Sequence, residues 1–201
     1  MHATRGVARW LSGCVLASIA LSACGTGPSP LPAPTSSMSA TGHFAGEGLS
    51  FEYPGTWGDA SFDVESSFSH VLVFLSTAPL SDPCDRTASS IACVRNPVTA
   101  LEPDGVLVEW SRQAFPGWTF DATKGRLTTV GGRQATLEQS VPLEGPCQEI
   151  GGERELVVTI DDATPDMNWT GMRACLRGPS LDDLQAQVEA MLASVAWTQL
   201  P

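Results

Sequence analysis

Short segments in which apolar and polar side chains alternate constrain the fold of this chain most. In Leu49–Tyr53 the apolar side chains Leu49, Phe51 and Tyr53 alternate with Ser50 and Glu52. A period of two is typical of strands that bury one face. Comparable strand signals recur in Val106–Ser111, Arg126–Val130, Arg133–Val141, Glu153–Ile160 and Trp169–Arg177, and His70–Ser76 is a short apolar run typical of a central strand.

The connections between these segments favour antiparallel pairing. Gly131-Gly132 separates two of the strands and is a hairpin signature. After Gly178-Pro179 the pattern changes to a helix, with Ser180 as the predicted N-cap and Asp183 three residues later. We therefore predict an α+β domain in which an antiparallel meander sheet is covered by one C-terminal helix.

The N-terminal residues predict an export signal over 1–23. Arg5 and Arg9 precede a mostly apolar stretch, 10–20, that is too short to cross a bilayer as a helix. Leu21-Ser22-Ala23-Cys24 then matches the site at which bacterial lipoproteins are cleaved and acylated, whereas Cys14 has no apolar stretch ahead of its similar motif. We expect a palmitate-type lipid anchor on Cys24, with an ordinary secretory signal cut nearby as the alternative.

A linker follows the predicted anchor. Residues 24–46 are rich in Pro, Ser, Thr and Gly and nearly free of charge, a composition that cannot bury enough apolar surface to fold. The sequence therefore predicts a disordered tether up to Gly46 and one globular domain over 47–201.

The formal charge of −11 excludes some classes of partner. An acidic chain is repelled by nucleic acid and by anionic lipid headgroups, so neither is an expected direct partner. The predicted location is the extracytoplasmic face of the cell membrane, where the lipid anchor makes the only expected membrane contact.

The domain retains four cysteines, and an even number in an exported chain predicts two disulfides. Three pairings are possible. We favour Cys84–Cys93, which would explain the long irregular stretch 79–103, and Cys147–Cys175, which would pin a loop to a late strand. Zinc bound by all four thiolates is the alternative, although no C-x-x-C pair supplies adjacent ligands.

No catalytic constellation is evident in the sequence. The serine-hydrolase elbow, the zinc-protease motif, the phosphate-binding loop and the dinucleotide fingerprint are all missing. Asp161, Asp162 and Asp166 cluster in a turn, but this segment fails the EF-hand template, so a solvated turn is the expectation. We therefore predict no enzymatic activity, no cofactor and no metal site.

Tryptophans provide the clearest candidate contact residues. Core packing is expected for most of them. Trp118 stands in an Ala-Phe-Pro-Gly-Trp turn, where an indole can anchor a ligand or a partner.

Two apolar motifs support a family resemblance. Phe51–Trp57 reads F-E-Y-P-G-T-W, and the last predicted helix leads into Met191–Trp197. This pattern resembles actinobacterial cell-envelope lipoproteins of the LpqN type, which share the layered fold of the photosystem II subunit PsbP. The resemblance implies a PsbP-like sandwich with helices on both faces of the sheet, whereas this sequence predicts a helix only at the C-terminus.

The functional expectation is a membrane-anchored, non-catalytic binding or adaptor module of the envelope. Its expected partner is another envelope protein. The alternative is a carrier of a lipid or another small apolar molecule, with a pocket between sheet and helix. A dispersed active site is the least favoured alternative.

Overall fold

A seven-stranded antiparallel sheet organises the domain. The computed structural model describes residues 40–87, 92–93, 95–161 and 169–198. The strands of this sheet are β3 (Gly58–Ala60), β4 (Ser69–Ser76), β7 (Val106–Gln113), β8 (Arg126–Val130), β9 (Arg133–Ser140), β10 (Arg154–Asp161) and β11 (Trp169–Leu176). Their order is β3-β4-β7-β11-β10-β9-β8, so the long strands β7 and β11 lie at its centre.

Smaller elements surround this sheet. A three-stranded sheet has the order β1-β2-β12 and is built from β1 (Thr41–Gly46), β2 (Leu49–Pro54) and β12 (Ala196–Trp197). The described elements also include a short hairpin of β5 (Cys84–Asp85) and β6 (Ala92–Cys93), and the helices α1 (Pro146–Glu149) and α2 (Leu181–Ala193).

The first face of the seven-stranded sheet is buried against α2 and the three-stranded sheet. Trp110 is fully buried at the centre of this face, where its ring stacks on Phe51 of β2 at 5.1 Å between centroids. Helix α2 adds Val188 and Met191 to the same apolar cluster. The alternation of β2 explains this packing, because its apolar side chains point to one side and fill the space over Trp110.

The second face of the sheet has a smaller cover. Phe74, Leu107 and Cys175 pack there against Leu101 and Ile150 from the irregular segment and the end of α1. This cluster lies over one end of β4, β7 and β11. Toward the other end, the second face carries polar side chains that are only partly covered.

One disulfide lies within this cover, and the other joins the cover to the sheet. Cys84–Cys93 closes the β5–β6 hairpin, and Cys147–Cys175 joins α1 to β11. The loops span 9 and 28 residues, so chain entropy alone predicts stabilisation of about 2.5 and 3.5 kcal/mol respectively. Two disulfides fit an extracytoplasmic compartment. In the described part of the chain, no helix has the length and apolar character needed to cross a membrane.

The predicted antiparallel sheet and C-terminal helix are confirmed, and the favoured disulfide pairs are the ones formed. The expectation that the tether stays disordered up to Gly46 is wrong for its last residues. Thr41–Gly46 forms β1 and pairs with β2 along its whole length, from Thr41↔Pro54 to Gly46↔Leu49. This segment, in which only Thr41 and Phe44 are strand formers, becomes a strand here because β2 offers it a complete ladder of backbone partners.

Two local predictions are also corrected. The alternation in Trp169–Arg177 predicts a solvent-exposed face that carries Cys175, but Cys175 is buried beneath α1 and the irregular segment. Ser180 stands at the N-cap of α2, yet its side chain makes no capping hydrogen bond. Instead, the backbone N–H of Ser180 donates to Asp104 Oδ1 at 2.8 Å, an acceptor 76 residues away that local spacing could not reveal.

Candidate functional site

Three strands of the large sheet end together at the end of the second face that lies away from the cluster of Phe74, Leu107 and Cys175. Ser69 of β4, Gln113 of β7 and Trp169 of β11 are aligned in register. Gln113 Nε2 donates to Ser69 Oγ at 3.0 Å and to Ser111 Oγ at 2.9 Å. The bond to Ser69 links the ends of β7 and β4, the bond to Ser111 stays within β7, and the backbone pairing with Gln113 positions Trp169.

A tight turn follows β7 and places two aromatic rings around Trp169. The Trp118 N–H donates to the Phe115 carbonyl at 3.2 Å, and Gly117 has a φ of 74°. Proline at the second position and a positive-φ glycine at the third fit a type II turn. No atom lies within 4 Å of a Cβ built on Gly117, so the backbone conformation, not space, favours glycine there.

The result is a stack of rings drawn from three chain segments. We call it the aromatic ladder: Phe68, Phe115, Trp118, Phe120 and Trp169. Trp169 is sandwiched, with its centroid 4.4 Å from Trp118 and 5.7 Å from Phe115. Phe68 extends the stack at 4.9 Å from Phe115, and Phe120 meets Trp118 edge-on at 6.5 Å. Offset stacking of this kind stabilises each pair by about 0.5–1.5 kcal/mol beyond the burial of area.

The aromatic ladder remains open to solvent. Phe68 is 42% exposed and Phe115 is 45% exposed, while Trp118 and Trp169 are half-buried. Isolated exposed apolar residues are common on proteins, but a continuous stack of rings is typical of a contact surface. The ladder is also positioned before any partner arrives, because the turn and the strand ends fix its members.

Carboxylates surround this surface. Asp161 is in register with Trp169, Asp121 follows Phe120, and Glu65 lies 3.2 Å from His70 Nδ1 beside Phe68. The pKa of Asp121 is lowered, chiefly by the hydrogen bond from the Thr123 side chain and then by the Thr123 N–H. The surroundings of the aromatic ladder therefore carry negative charge at neutral pH.

A row that contains charged side chains crosses the second face four residues further along β7 and β11. Glu109 of β7 is aligned with Phe74 of β4 and with Arg173 of β11. Arg173 Nε lies 3.2 Å from Glu155 Oε1, so this guanidinium is paired mainly with β10. Burial raises the pKa of the Glu109 carboxyl, and the charge of Arg173 offsets part of that effect.

Glu109 lines a cleft at the boundary between the sheet and its cover. The cleft has a volume of about 270 Å³. Its other polar lining residues are Arg95, Asn96 and Glu149, and Asn96 Nδ2 donates to Glu149 Oε2 at 3.0 Å. In the described chain, no group donates a hydrogen bond to the Glu109 carboxylate.

A second, more open groove runs between α2 and β2. Its volume is about 470 Å³, and Ala40, Pro54, Ala190 and Met191 contribute apolar surface to it. Tyr53 also lines the groove and donates its hydroxyl to Asp59 Oδ1 at 2.7 Å. Burial, followed by the hydrogen bond to Asp59, raises the pKa of Tyr53 to about 12, so the hydroxyl stays protonated in this groove.

Of the predicted site residues, one lies at the candidate contact surface and the others lie elsewhere. Trp118 lies in the aromatic ladder, whereas the four cysteines form the disulfides described above. Cys24 lies outside the described residues, as does most of the acidic turn, 162–168. The remaining ladder residues and Glu109 were not singled out from sequence, although an acidic residue within the apolar run Val106–Trp110 was a usable signal for Glu109.

Comparisons with protein-family models, with curated proteins and with solved structures find no significant match to this chain. Function is therefore inferred from the geometry of the aromatic ladder, the cleft and the groove.

The substitution Glu109→Gln is expected to stabilise the protein at neutral pH. When folding raises the pKa of a carboxyl, the ionised carboxylate destabilises the folded protein. This destabilisation is fully present above the folded pKa and disappears below the unfolded pKa. The variant should therefore have a higher Tm than the parent protein at pH 7, and the difference should shrink toward pH 4. Thermal unfolding monitored by circular dichroism across this range measures both effects.

Glu155→Gln is the matched control, because it removes the partner of Arg173 and should lower Tm at pH 7. A Glu109→Gln protein that is less stable than the parent at pH 7, or a difference that does not change with pH, would contradict this account of Glu109.

Proposed function

We propose that this chain is a lipid-anchored binding or adaptor module of the bacterial envelope, and that the aromatic ladder is its contact surface for another envelope protein. The ladder carries the proposal, because it keeps Phe68 and Phe115 exposed while both rings are fixed by stacking. Rigid aromatic side chains give large contact area at low entropic cost. The flanking carboxylates favour a partner with basic residues around an apolar patch.

The location is part of the same proposal. The motif that ends at Cys24 supports a lipid anchor on the extracytoplasmic face of the cell membrane, and the two disulfides agree with that compartment. An anchored module of this kind reaches partners near the membrane by its tether. We also propose, from the opening motif Phe51–Trp57 and the C-terminal helix, that the fold is PsbP-like and related to LpqN-type lipoproteins.

A carrier of lipid or another small apolar molecule is the second candidate. The groove between α2 and β2 favours it, because this groove offers apolar walls at a sheet–helix boundary. The carrier hypothesis predicts that lipid copurifies with the chain and that Ala190→Trp, which adds a bulky ring to the groove wall, displaces it. Native mass spectrometry that finds no bound lipid in the parent protein would exclude this function.

Replacing both exposed phenylalanines of the aromatic ladder should abolish partner capture. For Phe68→Ser with Phe115→Ser, we expect the recovery of crosslinked partner from envelope to fall by about tenfold or more, since aromatic anchors each contribute more than about 1 kcal/mol at typical interfaces. Quantitative mass spectrometry of affinity-purified, crosslinked material measures the recovery.

Leu143→Ser supplies the control, because Leu143 is 88% exposed and is not part of the aromatic ladder. Equal recovery with the ladder variant, the control and the parent protein would refute the assignment of the ladder as the contact surface.

Removing the thiol of residue 24 should release the protein from the membrane. In Cys24→Ala the acyl chains have no attachment site, so the chain should move from the detergent-extracted membrane fraction to the soluble fraction or remain as unprocessed precursor. Fractionation combined with intact-mass measurement distinguishes these states.

Cys14→Ala is the matched control for this test and should remain acylated and membrane-bound. An acylated Cys24→Ala protein, or loss of acylation in Cys14→Ala alone, would place the anchor elsewhere.

A further inference from the structure

We propose that the cleft lined by Glu109 binds an aliphatic primary ammonium group, with the Glu109 carboxylate as its anionic contact. The cleft is separate from the aromatic ladder but lies on the same face of the sheet. The proposal therefore gives this face a second binding site, for a cation. Its walls come from β4, the irregular segment and the start of α1.

The walls of the cleft suit a hydrocarbon chain. Most of them are apolar: Val64, Val71, Phe74, Pro83, Pro97 and Pro146. The volume of about 270 Å³ is below the range of roughly 300–1,000 Å³ that holds drug-sized ligands, so the cleft fits one long side chain or a small amine. Three of these wall residues are prolines, whose φ angle is fixed, which limits the local backbone freedom of the walls.

Glu109 gives this apolar cleft one anionic group that lacks a close partner. The carboxylate receives no hydrogen bond within the described chain. Arg95 also lines the cleft, and Arg173 lies opposite Glu109 by register, but among the described residues neither forms a salt bridge with Glu109, and Arg173 Nε lies 3.2 Å from Glu155 Oε1. A partly buried carboxylate without a donor is costly, and a ligand that supplies an N–H donor and a positive charge removes that cost.

Among the residues that line the cleft, the carboxylates of Glu109 and Glu149 outnumber the one guanidinium, Arg95, so the lining favours a cation. Glu149 already accepts a hydrogen bond from Asn96. Its main contribution is therefore negative charge at the rim of the cleft, and the direct contact with the ammonium is left to Glu109. A metal site is disfavoured because the described residues contain no group of three or more side chains suited to hold an ion. A guanidinium can also pair with a carboxylate, but an ammonium is the more compact charge, and its flexible stem can lie along the apolar walls of a cleft of this size.

Two sources can present this chemistry, a free aliphatic amine and a lysine side chain of a partner protein. The full-length chain in detergent is titrated with Nα-acetyl-lysine N-methylamide and, separately, with 1,5-diaminopentane. Nα-acetyl-norleucine N-methylamide, which has the same stem without the ammonium, is the ligand control. Methyl NMR shifts of Val64 and Val71 report on the cleft itself.

We expect saturable shifts at Val64 and Val71 with at least one ammonium probe and none with the norleucine derivative. Tighter binding of the lysine derivative identifies a protein side chain as the natural occupant, and tighter binding of the diamine identifies a free amine. Glu109→Gln should weaken binding at least tenfold while the protein remains folded, and the exposed Glu144→Gln should leave it unchanged.

Binding should also weaken as pH falls and Glu109 takes up a proton. The charged groups that face it are Arg173 with its partner Glu155 on the sheet, and Arg95 and Glu149 at the cleft. Absence of saturable shifts with both ammonium probes, or equal binding by Glu109→Gln, would overturn the proposal. The Phe68→Ser, Phe115→Ser protein should bind the ammonium probes normally, so failure of either proposal is distinguishable from failure of the other.

Discussion

Unequal cover on the two faces of the large sheet is the constraint on which the rest of this structure depends. The first face is closed by α2 and the three-stranded sheet, which together form one apolar cluster around Trp110. Among the described residues, the second face is covered by the irregular segment, by α1 and by Phe62 and Val64 of the β3–β4 connection, and Cys147–Cys175 holds α1 over one end. Without this link, the short helix α1 would have little to keep it on β11, because four residues of helix are not stable alone.

Both surfaces that we assign to binding lie where this cover is incomplete. The aromatic ladder occupies the strand ends that lie away from the cluster of Phe74, Leu107 and Cys175, and the Glu109 cleft lies at the boundary of the cover. The sheet supplies rigid strands, and the loops supply the rings and the cleft walls. Sites built in this way on a rigid scaffold are already positioned when a partner arrives, which reduces the entropy lost on association.

The large sheet could be predicted because the sequence patterns that specify its strands and turns are local. The alternation in β2 and β7, the Gly131-Gly132 hairpin and the apolar stripe of α2 are each contained within a few turns or strands of chain. The disulfide pairing followed from loop positions. By contrast, β1 could not be recognised, because its stability comes from the backbone ladder with β2 and its composition is that of a linker.

The binding surfaces were less accessible to sequence analysis because they are assembled from distant residues. Trp118 was identified from its turn, yet the sandwich with Trp169 depends on strand register between β7 and β11. Glu109 is the one acidic residue in the run Val106–Trp110, but the prolines that line its cleft come from distant segments of the chain. The cap of α2 by Asp104 has the same non-local origin.

The central claim is that the aromatic ladder touches a specific protein in the envelope. Site-specific photocrosslinking in living cells, with benzoylphenylalanine placed at position 115 and, for comparison, at position 143, tests it most directly. We predict a discrete crosslinked species from position 115 and none from position 143. The same species from both positions, or none from position 115, would contradict the claim.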